Sequence, residues 1–264
     1  MNRVRLTLRR YRHWLPLVSL MVVAIAWVTH RAYSLYDQNA VAADLRTSNQ
    51  FTYVATDHDV RNDPQWTDKL RELDSTISSA VQDNVGSSIA SPVVRLFITV
   101  DQDKPITADL IPRLPDLRWL HINAGGTINT KDPTRPVSPP LDRLKNSTKL
   151  QYLILGNWAN LSPTGSPGFR GTGVTLLPLN ITPDSLAHLQ SLPELRILAL
   201  GGNNIDDHGL SCLARLSHLE HLYLSRTNIT EAGYAKLKVM LPQTEIVTMT
   251  DANADYSAEI NALF

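Results

Sequence analysis

A six-residue pattern, L-x-x-L-x-[L/I], recurs through the second half of the chain and constrains the fold more than any other feature. Four segments match the full pattern, and they begin at Leu117, Leu150, Leu195 and Leu219. A weaker segment begins at Val93 and a degenerate one at Thr244. The steps between these starts are 24, 33, 45, 24 and 25 residues. Internal repeats with a period of about 20 to 50 residues are typical of folds that stack one structural unit many times.

Each segment is followed by apolar residues at steps of about three. In the unit that begins at Leu195, this series is Ile205, Leu210, Leu213 and Leu216. The series is intact in the two long units, so their additional residues form insertions at 123–140 and 156–180. Both insertions are rich in Gly, Pro, Ser and Thr, which predicts loops. In the weak first unit, Ile106 lies farther from its strand than the pattern requires.

This spacing favours one architecture. In L-x-x-L-x-L the last two apolar residues point to the same side of a short strand, because side chains alternate along a strand. Apolar residues at steps of three suit an α-helix or 3₁₀-helix that covers this side. One unit cannot bury its apolar face alone, whereas stacked units can. We therefore expect an α/β solenoid with short parallel strands on the concave face and helices on the convex face.

The repeats also resemble a known family. The stretches LxLxxNxIxDxGLxxLxxLxxL, from Leu198, and LxLxxTxITxxGxxxL, from Leu222, are similar to ribonuclease-inhibitor-like leucine-rich repeats. The resemblance covers residues 91–250 and implies a domain of about five to six units. It places Asn203 and Thr227 at the turn that follows the strand, where a polar side chain can bond to neighbouring backbone.

The layout of the whole chain resembles a group of bacterial membrane-anchored leucine-rich-repeat proteins. In that layout an Arg-rich leader and one anchor precede a juxtamembrane helix, here Asp37–Arg46, and a short aromatic strand, here Phe51–Val54. Another helix begins near Pro64. We assign residues 37–90 to the juxtamembrane helix and an N-terminal cap, and residues 251–264 to a tail or C-terminal cap. The resemblance implies a binding scaffold that has no catalytic site.

The charges are distributed unevenly, although the 264-residue chain has 25 basic and 25 acidic residues and a formal net charge of zero. Residues 1–36 contain six arginines and no acidic residue. The rest of the chain contains 19 basic and 25 acidic residues. This mildly acidic body offers no broad basic surface, so we expect no nucleic-acid partner.

An uncharged segment, WLPLVSLMVVAIAWV, occupies Trp14–Val28, between the basic leader and Arg31. A spanning helix needs about 20 residues, and amphipathic flanking residues can extend this segment to both interfaces. We expect residues 1–36 to form the leader and a single transmembrane signal anchor, with membrane contact through residues 14–31. Because basic residues favour the cytoplasmic side, the N-terminus is predicted to be cytoplasmic and the repeat domain extracytoplasmic. The alternatives are a signal peptide cleaved after Ala24-Ile25-Ala26 and a buried core helix.

Two columns of side chains are expected to point away from the leucine side of the strands. The first contains Arg95, Trp119, Tyr152, Ile197, His221 and Ile246. The second contains Phe97, His121, Ile154, Ala199, Tyr223 and Thr248. Exposed aromatic residues on one surface suit protein or peptide recognition. We predict a protein-binding site formed by Arg95, Phe97, Trp119, His121, Tyr152, Ile154, His221 and Tyr223. In the alternative interpretation, the two insertions fold over the sheet and bury these side chains.

The sequence offers little evidence of catalysis. Asp57-His58-Asp59 has the character of a polar turn, because consecutive residues do not easily converge on one metal ion. The glycine-rich stretch Gly168–Gly173 matches neither a phosphate-binding loop nor a dinucleotide fingerprint. A catalytic pocket would require convergence of several residues among His121, His221, Asp57 and Glu220. We expect no metal site, no small-molecule cofactor and no enzymatic activity.

These observations lead to one main hypothesis. The chain is predicted to be a non-enzymatic, membrane-anchored recognition or scaffold protein that binds a protein or peptide along the concave face of its solenoid. The alternative is a structural cell-envelope component that has no discrete ligand. The two hypotheses differ in whether the concave face has a partner.

Overall fold

The fold is described by a computed structural model, which covers residues 15–48, 53–56, 92–101, 110–126, 136–156, 175–176, 179–201 and 205–249. Eight strands in this part of the chain form one sheet. They are β1 (Tyr53–Thr56), β2 (Val93–Asp101), β3 (Trp119–Gly126), β4 (Tyr152–Gly156), β5 (Thr175–Leu176), β6 (Ile197–Gly201), β7 (His221–Ser225) and β8 (Glu245–Met249). The order across the sheet is β1-β2-β3-β4-β6-β7-β8, and β5 pairs with β3. All neighbours from β2 to β8 along this path are parallel, whereas β1 and β5 pair antiparallel with their neighbours.

The parallel strands pair in register and stack their apolar residues into two rows. The first row is Leu96, Leu120, Leu153, Leu198 and Leu222, and the second is Ile98, Ile122, Leu155, Leu200 and Leu224. All ten side chains are fully buried. Burial of one large apolar side chain is worth about 1.5–3 kcal/mol, so these rows form the main stabilising core.

One long helix, α1 (Leu15–Ser48), precedes the sheet and runs without a break through the predicted boundary at residue 36. Large apolar side chains are exposed along its amino-terminal half: Leu17, Val18, Leu20, Met21, Val22, Val23, Ile25, Trp27 and Val28. Its carboxy-terminal half packs on the repeat domain and buries Leu35, Gln38, Val41 and Ala42. The two halves of α1 therefore occupy different environments.

Short helices cover the leucine side of the sheet. They are α2 (Pro183–Ala187), α3 (Leu210–Leu213), α4 (Glu231–Met240) and the 3₁₀ helices Leu141–Asn146, His188–Ser191 and Asp207–Gly209. Residues 110–113 form a further 3₁₀ turn before β3. The apolar residues at steps of three, such as Leu186 and Leu189, are buried in the same core as the strand leucines. The expected α/β arrangement of parallel strands and covering helices is thus confirmed. We call the sheet face opposite these helices the concave face.

Three details differ from the sequence expectation or fall outside it. The first short strand is described from Tyr53 to Thr56, two residues beyond the predicted end at Val54, and it pairs antiparallel with β2; Phe51 and Thr52 lie outside the described residues. In the first unit, Ile111 and Leu114 supply the buried helix positions. Ile106 and Asn203 lie outside the described residues.

Candidate functional site

The register of the strands builds the two predicted columns on the concave face. Arg95, Trp119, Tyr152, Ile197 and His221 align across neighbouring strands as the first row. Phe97, His121, Ile154, Ala199 and Tyr223 align as the second row. The sheet therefore brings the eight predicted site residues onto one face.

The last members of both rows were predicted incorrectly. His221 pairs with Glu245 and Tyr223 pairs with Val247, so Ile246 and Thr248 are not the residues that continue the rows. Ile246 instead packs against the core. The error arises because the last unit lacks the leucines that fix the phase of the pattern. The separation between this unit and the preceding one is one residue shorter than the alignment of the repeats indicates.

Most side chains in the two rows are buried, whereas the sequence predicts exposed aromatic columns. Six of the eight predicted site residues are no more than 9% exposed: Arg95, Phe97, Trp119, His121, Ile154 and Tyr223. Tyr152 and His221 are half-buried. Accessible surface increases toward the last strand, where the Glu245 side chain is 66% exposed. The concave face thus has a closed half, β2 to β4, and an open half, β7 to β8.

The closed half is organised around His121. Its ring meets Phe97 edge to face at a centroid distance of 4.7 Å and Trp119 at 5.9 Å. Its Nε2 lies 3.1 Å from the Gly156 carbonyl oxygen, to which it must donate, because a carbonyl only accepts. Complete burial lowers the pKa of His121 to about 4, although its hydrogen bonds favour the protonated form. His121 is therefore neutral near pH 7 and acts as a packed, hydrogen-bonded element of the sheet.

Gly156 has a conformation that few other residues could adopt. Its φ of 102° lies in the left-handed region, which favours glycine. A Cβ at this position would lie 1.7 Å from the Gly201 carbonyl oxygen on the neighbouring strand. The close approach of β4 and β6 at their carboxyl ends, and with it the acceptor for His121, therefore depends on glycine here.

The open half carries polar groups that can be reached from outside. His221 Nδ1 lies 3.0 Å from Glu245 Oε2, and the His221 ring stacks with Tyr223 at 6.1 Å. Arg196 and Glu220 form an exposed ion pair at 3.3 Å beside this surface. The half-buried Tyr152, on β4 at the border of the closed half, lies two strands away, and burial raises the pKa of its hydroxyl. This combination of aromatic rings with paired charges can form hydrogen bonds and apolar contacts with a peptide.

A buried polar cluster that sequence reasoning missed joins α1 to the repeat domain. Asp116 accepts hydrogen bonds from Arg31 at 2.5 Å, Gln38 at 2.9 Å and Lys149 at 2.9 Å. Gln38 also accepts a hydrogen bond of 3.0 Å from the backbone N–H of Val93. Burial alone would raise the pKa of Asp116, but the hydrogen bonds from Lys149, Gln38 and Arg31 hold it below its ordinary value. No periodic pattern in the sequence predicts these contacts, because Arg31 and Asp116 are 85 residues apart.

The structure gives the positions of some of the residues that a metal or catalytic centre would need. No group of three or more His, Cys, Asp or Glu side chains that could hold a metal ion occurs among the described residues. His121 and His221 lie on strands separated by two others, a distance of about 14 Å at ordinary strand spacing. Asp57 and Gly168–Gly173 lie outside the described residues. The histidines named for a catalytic pocket are therefore not brought together.

Comparison with known proteins identifies one of the repeats. Residues 188–214 match a protein-family model described as "Leucine Rich repeat". This segment contains the 3₁₀ helix His188–Ser191, β6, the 3₁₀ helix Asp207–Gly209 and α3. None of the curated proteins matches the sequence.

Solved structures with similarity to the chain include bacterial leucine-rich-repeat proteins. A leucine-rich-repeat protein of Leptospira interrogans is 21% identical, with 52% of this chain and 26% of that chain aligned and a TM-score of 0.33. An internalin of Listeria monocytogenes is 14% identical, with 60% and 48% aligned and a TM-score of 0.30. A Bacteroides fragilis protein is 15% identical, with 55% and 49% aligned and a TM-score of 0.27. The aligned part covers less than half of each of these proteins. The family match covers one repeat, and the strand and helix units on either side of it follow the same register, which supports a leucine-rich-repeat fold.

Proposed function

We propose that the chain is a membrane-anchored recognition protein that binds a protein or peptide through the open half of its concave face. Leucine-rich repeats are binding scaffolds, which supports a recognition or scaffold role over an enzymatic one. The observation that carries the proposal is the in-register pair His221 and Glu245, which ends the first row on the accessible part of the sheet. Here a polar and aromatic surface is reachable without rearrangement of the core.

The anchor is supported by the environment of α1. The segment Pro16–Asp44 is long and apolar enough to cross a membrane, and the most apolar part of it has no contact that buries it. A spanning helix requires about 20 residues, which the exposed half of α1 together with its flanks supplies. A cleaved signal sequence satisfies the same criteria, so the two are separated by experiment. The arginine-rich leader favours a cytoplasmic N-terminus and an extracytoplasmic repeat domain.

The first test is photo-crosslinking from the concave face in intact membranes. A photoreactive phenylalanine analogue replaces Glu245, and a matched control carries it at Lys236, an exposed position on α4 of the convex side. We expect a discrete protein adduct from position 245 and none from position 236. His221→Ala in the position-245 background is expected to reduce the adduct several-fold, since a recognition surface concentrates its energy in few residues.

The crosslinking test uses the accessible residues Glu245 and His221 because Trp119 and Tyr223 are almost fully buried. Their replacement by Ala would remove packing as well as any contact with a partner. Equal adducts from both faces, or none from position 245, would contradict the concave-face proposal. The absence of a discrete adduct from any accessible concave position would favour a structural envelope component without a ligand.

The anchor and its orientation are tested by protease protection. A tag at each end of the full chain reports which part is digested when protease is added outside spheroplasts. We expect loss of the C-terminal tag and protection of the N-terminal one, with both tags on one chain of full mass before digestion. Loss of the N-terminal tag from the mature chain would indicate signal cleavage, and protection of the C-terminal half would reverse the orientation.

A further inference from the structure

The docking of α1 fixes which end of the strands meets the anchor. Arg31, where the proposed membrane segment ends, pairs with Asp116, which lies just before β3. Seven residues further along α1, Gln38 accepts from the N–H of Val93, the first residue of β2. Both contacts are made at the amino ends of parallel strands. Since α1 is one continuous helix, the amino ends of the strands lie on the side from which the exposed half of α1 emerges.

The turns at this side contain an excess of basic residues. We define the amino edge as the last helical turns and the following turns into the strands, residues 111–118, 143–151, 188–196, 212–220 and 238–244. It contains the cations Arg113, Arg118, Arg143, Lys145, Lys149, Arg196, Arg215 and Lys238, against the acids Asp116, Glu194 and Glu220 of the edge and Asp37 and Asp44 of α1 beside it. Several of these charges form ion pairs, Lys149 with the buried Asp116, Arg113 with Asp37 and Arg196 with Glu220, and the edge keeps a net positive charge after these pairs are counted.

The opposite side has the reverse charge. We define the carboxyl edge as the described segments that lead from the strands into the helices, residues 136–142, 179–184, 205–207 and 226–231. It contains the acids Asp142, Asp184, Asp206, Asp207 and Glu231 and one cation, Arg226. Asp142 lies 3.3 Å from Arg143 of the amino edge, so this pair does not contribute to the separation of charge. Part of this separation follows from helix capping, which favours acids at helix starts and bases at helix ends. Capping does not account for Lys149 or Arg196, which lie beyond their helix ends.

We propose that the amino edge is a docking surface for anionic lipid headgroups, which holds the solenoid with the carboxyl ends of its strands directed away from the membrane. The inference rests on the proposed anchor and adds to it the orientation of the domain and the chemistry of the contact. Charge complementarity and the continuity of α1 with this edge select a lipid surface as the occupant. Clustered Lys and Arg beside a membrane segment attract anionic headgroups within a Debye length.

The arrangement has a consequence for recognition. Both insertions, 123–140 and 156–180, begin close to the carboxyl ends of β3 and β4. A solenoid that rests on its amino edge presents the starts of both insertions on the side that faces away from the lipid. The concave face is then steeply inclined to the membrane surface rather than parallel to it, so its open half can be reached from the side.

The test measures the distance of two labelled positions from the headgroups in the full chain. Cys212, the single cysteine, is replaced by Ser, and a fluorophore is attached to His218→Cys on the amino edge or Asn228→Cys on the carboxyl edge. Both positions are exposed. The chain is reconstituted into vesicles of phosphatidylcholine with 25% phosphatidylglycerol (about one anionic lipid in four, to give a strong surface potential), which contain a quencher attached to the headgroup.

We expect several-fold stronger quenching at position 218 than at position 228. Arg215→Glu is expected to lower this ratio by about two- to fivefold in anionic vesicles, because it reverses a charge at the lipid contact. Lys236→Glu, the same reversal midway along α4, should leave the ratio unchanged, and vesicles of pure phosphatidylcholine should remove the difference between the two variants.

The possible failures are distinguishable. Co-flotation of the chain with vesicles reports the anchor itself, so a chain that does not float would contradict the proposed function. A chain that floats but is quenched equally at both positions, or more strongly at 228, would overturn the docking proposal and leave the anchor in place. Equal effects of the two charge reversals would overturn the role assigned to the basic edge.

Discussion

The two halves of the concave face are built from the same repeat but are used differently. In β2 and β3 the first row is formed by Arg95 and Trp119, which are buried. In β7 and β8 the equivalent positions hold His221 and Glu245, which contact each other at the surface. The repeat thus fixes the leucine side of each strand, whereas the residues between the leucines decide whether a unit is closed or open to a partner.

The two ends of the sheet show the same contrast. At the first end, α1 buries a carboxylate that is bonded to Arg31, Gln38 and Lys149. At the last end, the exposed Asp207 carboxylate accepts from the Thr230 N–H and hydroxyl and so ties α4 to the preceding unit. Changes in the closed half and its cap should therefore cost more stability than changes in the open half. The four predictions below test this order.

The largest effect is expected for Gly156→Ala in the closed half. An alanine at φ 102° is strained, and its Cβ would meet backbone, the Gly201 carbonyl, which cannot move aside easily. The free energy of unfolding is expected to fall by about 4 kcal/mol. Urea denaturation of the detergent-solubilised full chain, followed by near-ultraviolet circular dichroism, measures it. A loss below 1 kcal/mol would show that β4 and β6 can separate here without cost.

The second prediction concerns the pH dependence of the closed half. Because the folded-state pKa of His121 is lowered to about 4, the unfolded chain binds a proton at a higher pH than the folded chain does. The free energy of unfolding therefore falls as the pH is lowered from about 6.5 toward 4. The loss that is due to His121 is about 3 kcal/mol in total. The free energy of unfolding should depend less steeply on pH in His121→Gln, because glutamine does not titrate. Its amide can still donate to the Gly156 carbonyl oxygen. An unchanged slope in that variant would assign the effect to other groups.

The core of this fold could be predicted from the sequence because leucine spacing carries it. Leu198, Leu200 and the series up to Leu216 have the predicted core positions, and each is fully buried. The phase of the last unit could not be predicted, because Thr244 stands where a leucine was expected. Thr244 Oγ1 instead donates to the Leu219 carbonyl oxygen, and β8 then starts one residue earlier in register than the pattern suggested.

The site was harder to predict than the core. Alternation within a strand identifies which side chains leave the leucine side, but it contains no information on their exposure. Trp119 and Tyr223 were expected to be accessible and are 3% and 4% exposed. The cluster at Asp116 was missed for another reason: its partners come from α1 and from the next repeat, and no local pattern links residues so far apart in sequence.

The third prediction tests the polar cap at the first end. Asp116→Asn removes the charge that binds Arg31 and Lys149, both of which retain partial contact with water. We expect a loss of about 2 kcal/mol in the free energy of unfolding at pH 7, less than for a fully buried pair. Since the pKa of Asp116 is lowered on folding, its stabilising contribution is lost as the pH falls through the folded-state value. The difference between wild type and variant should therefore disappear in strong acid, and a difference that persists there would show that charge is not its cause.

The smallest effect is expected at the last end, for Gly233→Ala. A Cβ here would lie 2.2 Å from Asp207 Oδ1, but this atom is the end of a side chain that can turn away. We expect a loss of about 1 kcal/mol, through displacement of the carboxylate from Thr230. In an Asp207→Ala background the same glycine substitution should cost less, because the obstructing carboxylate is gone and only the contact with Ile229 remains. Equal costs in the two backgrounds would show that the carboxylate is not what requires glycine at this position, and a cost above that of Gly156→Ala would reverse the order between the closed and open halves.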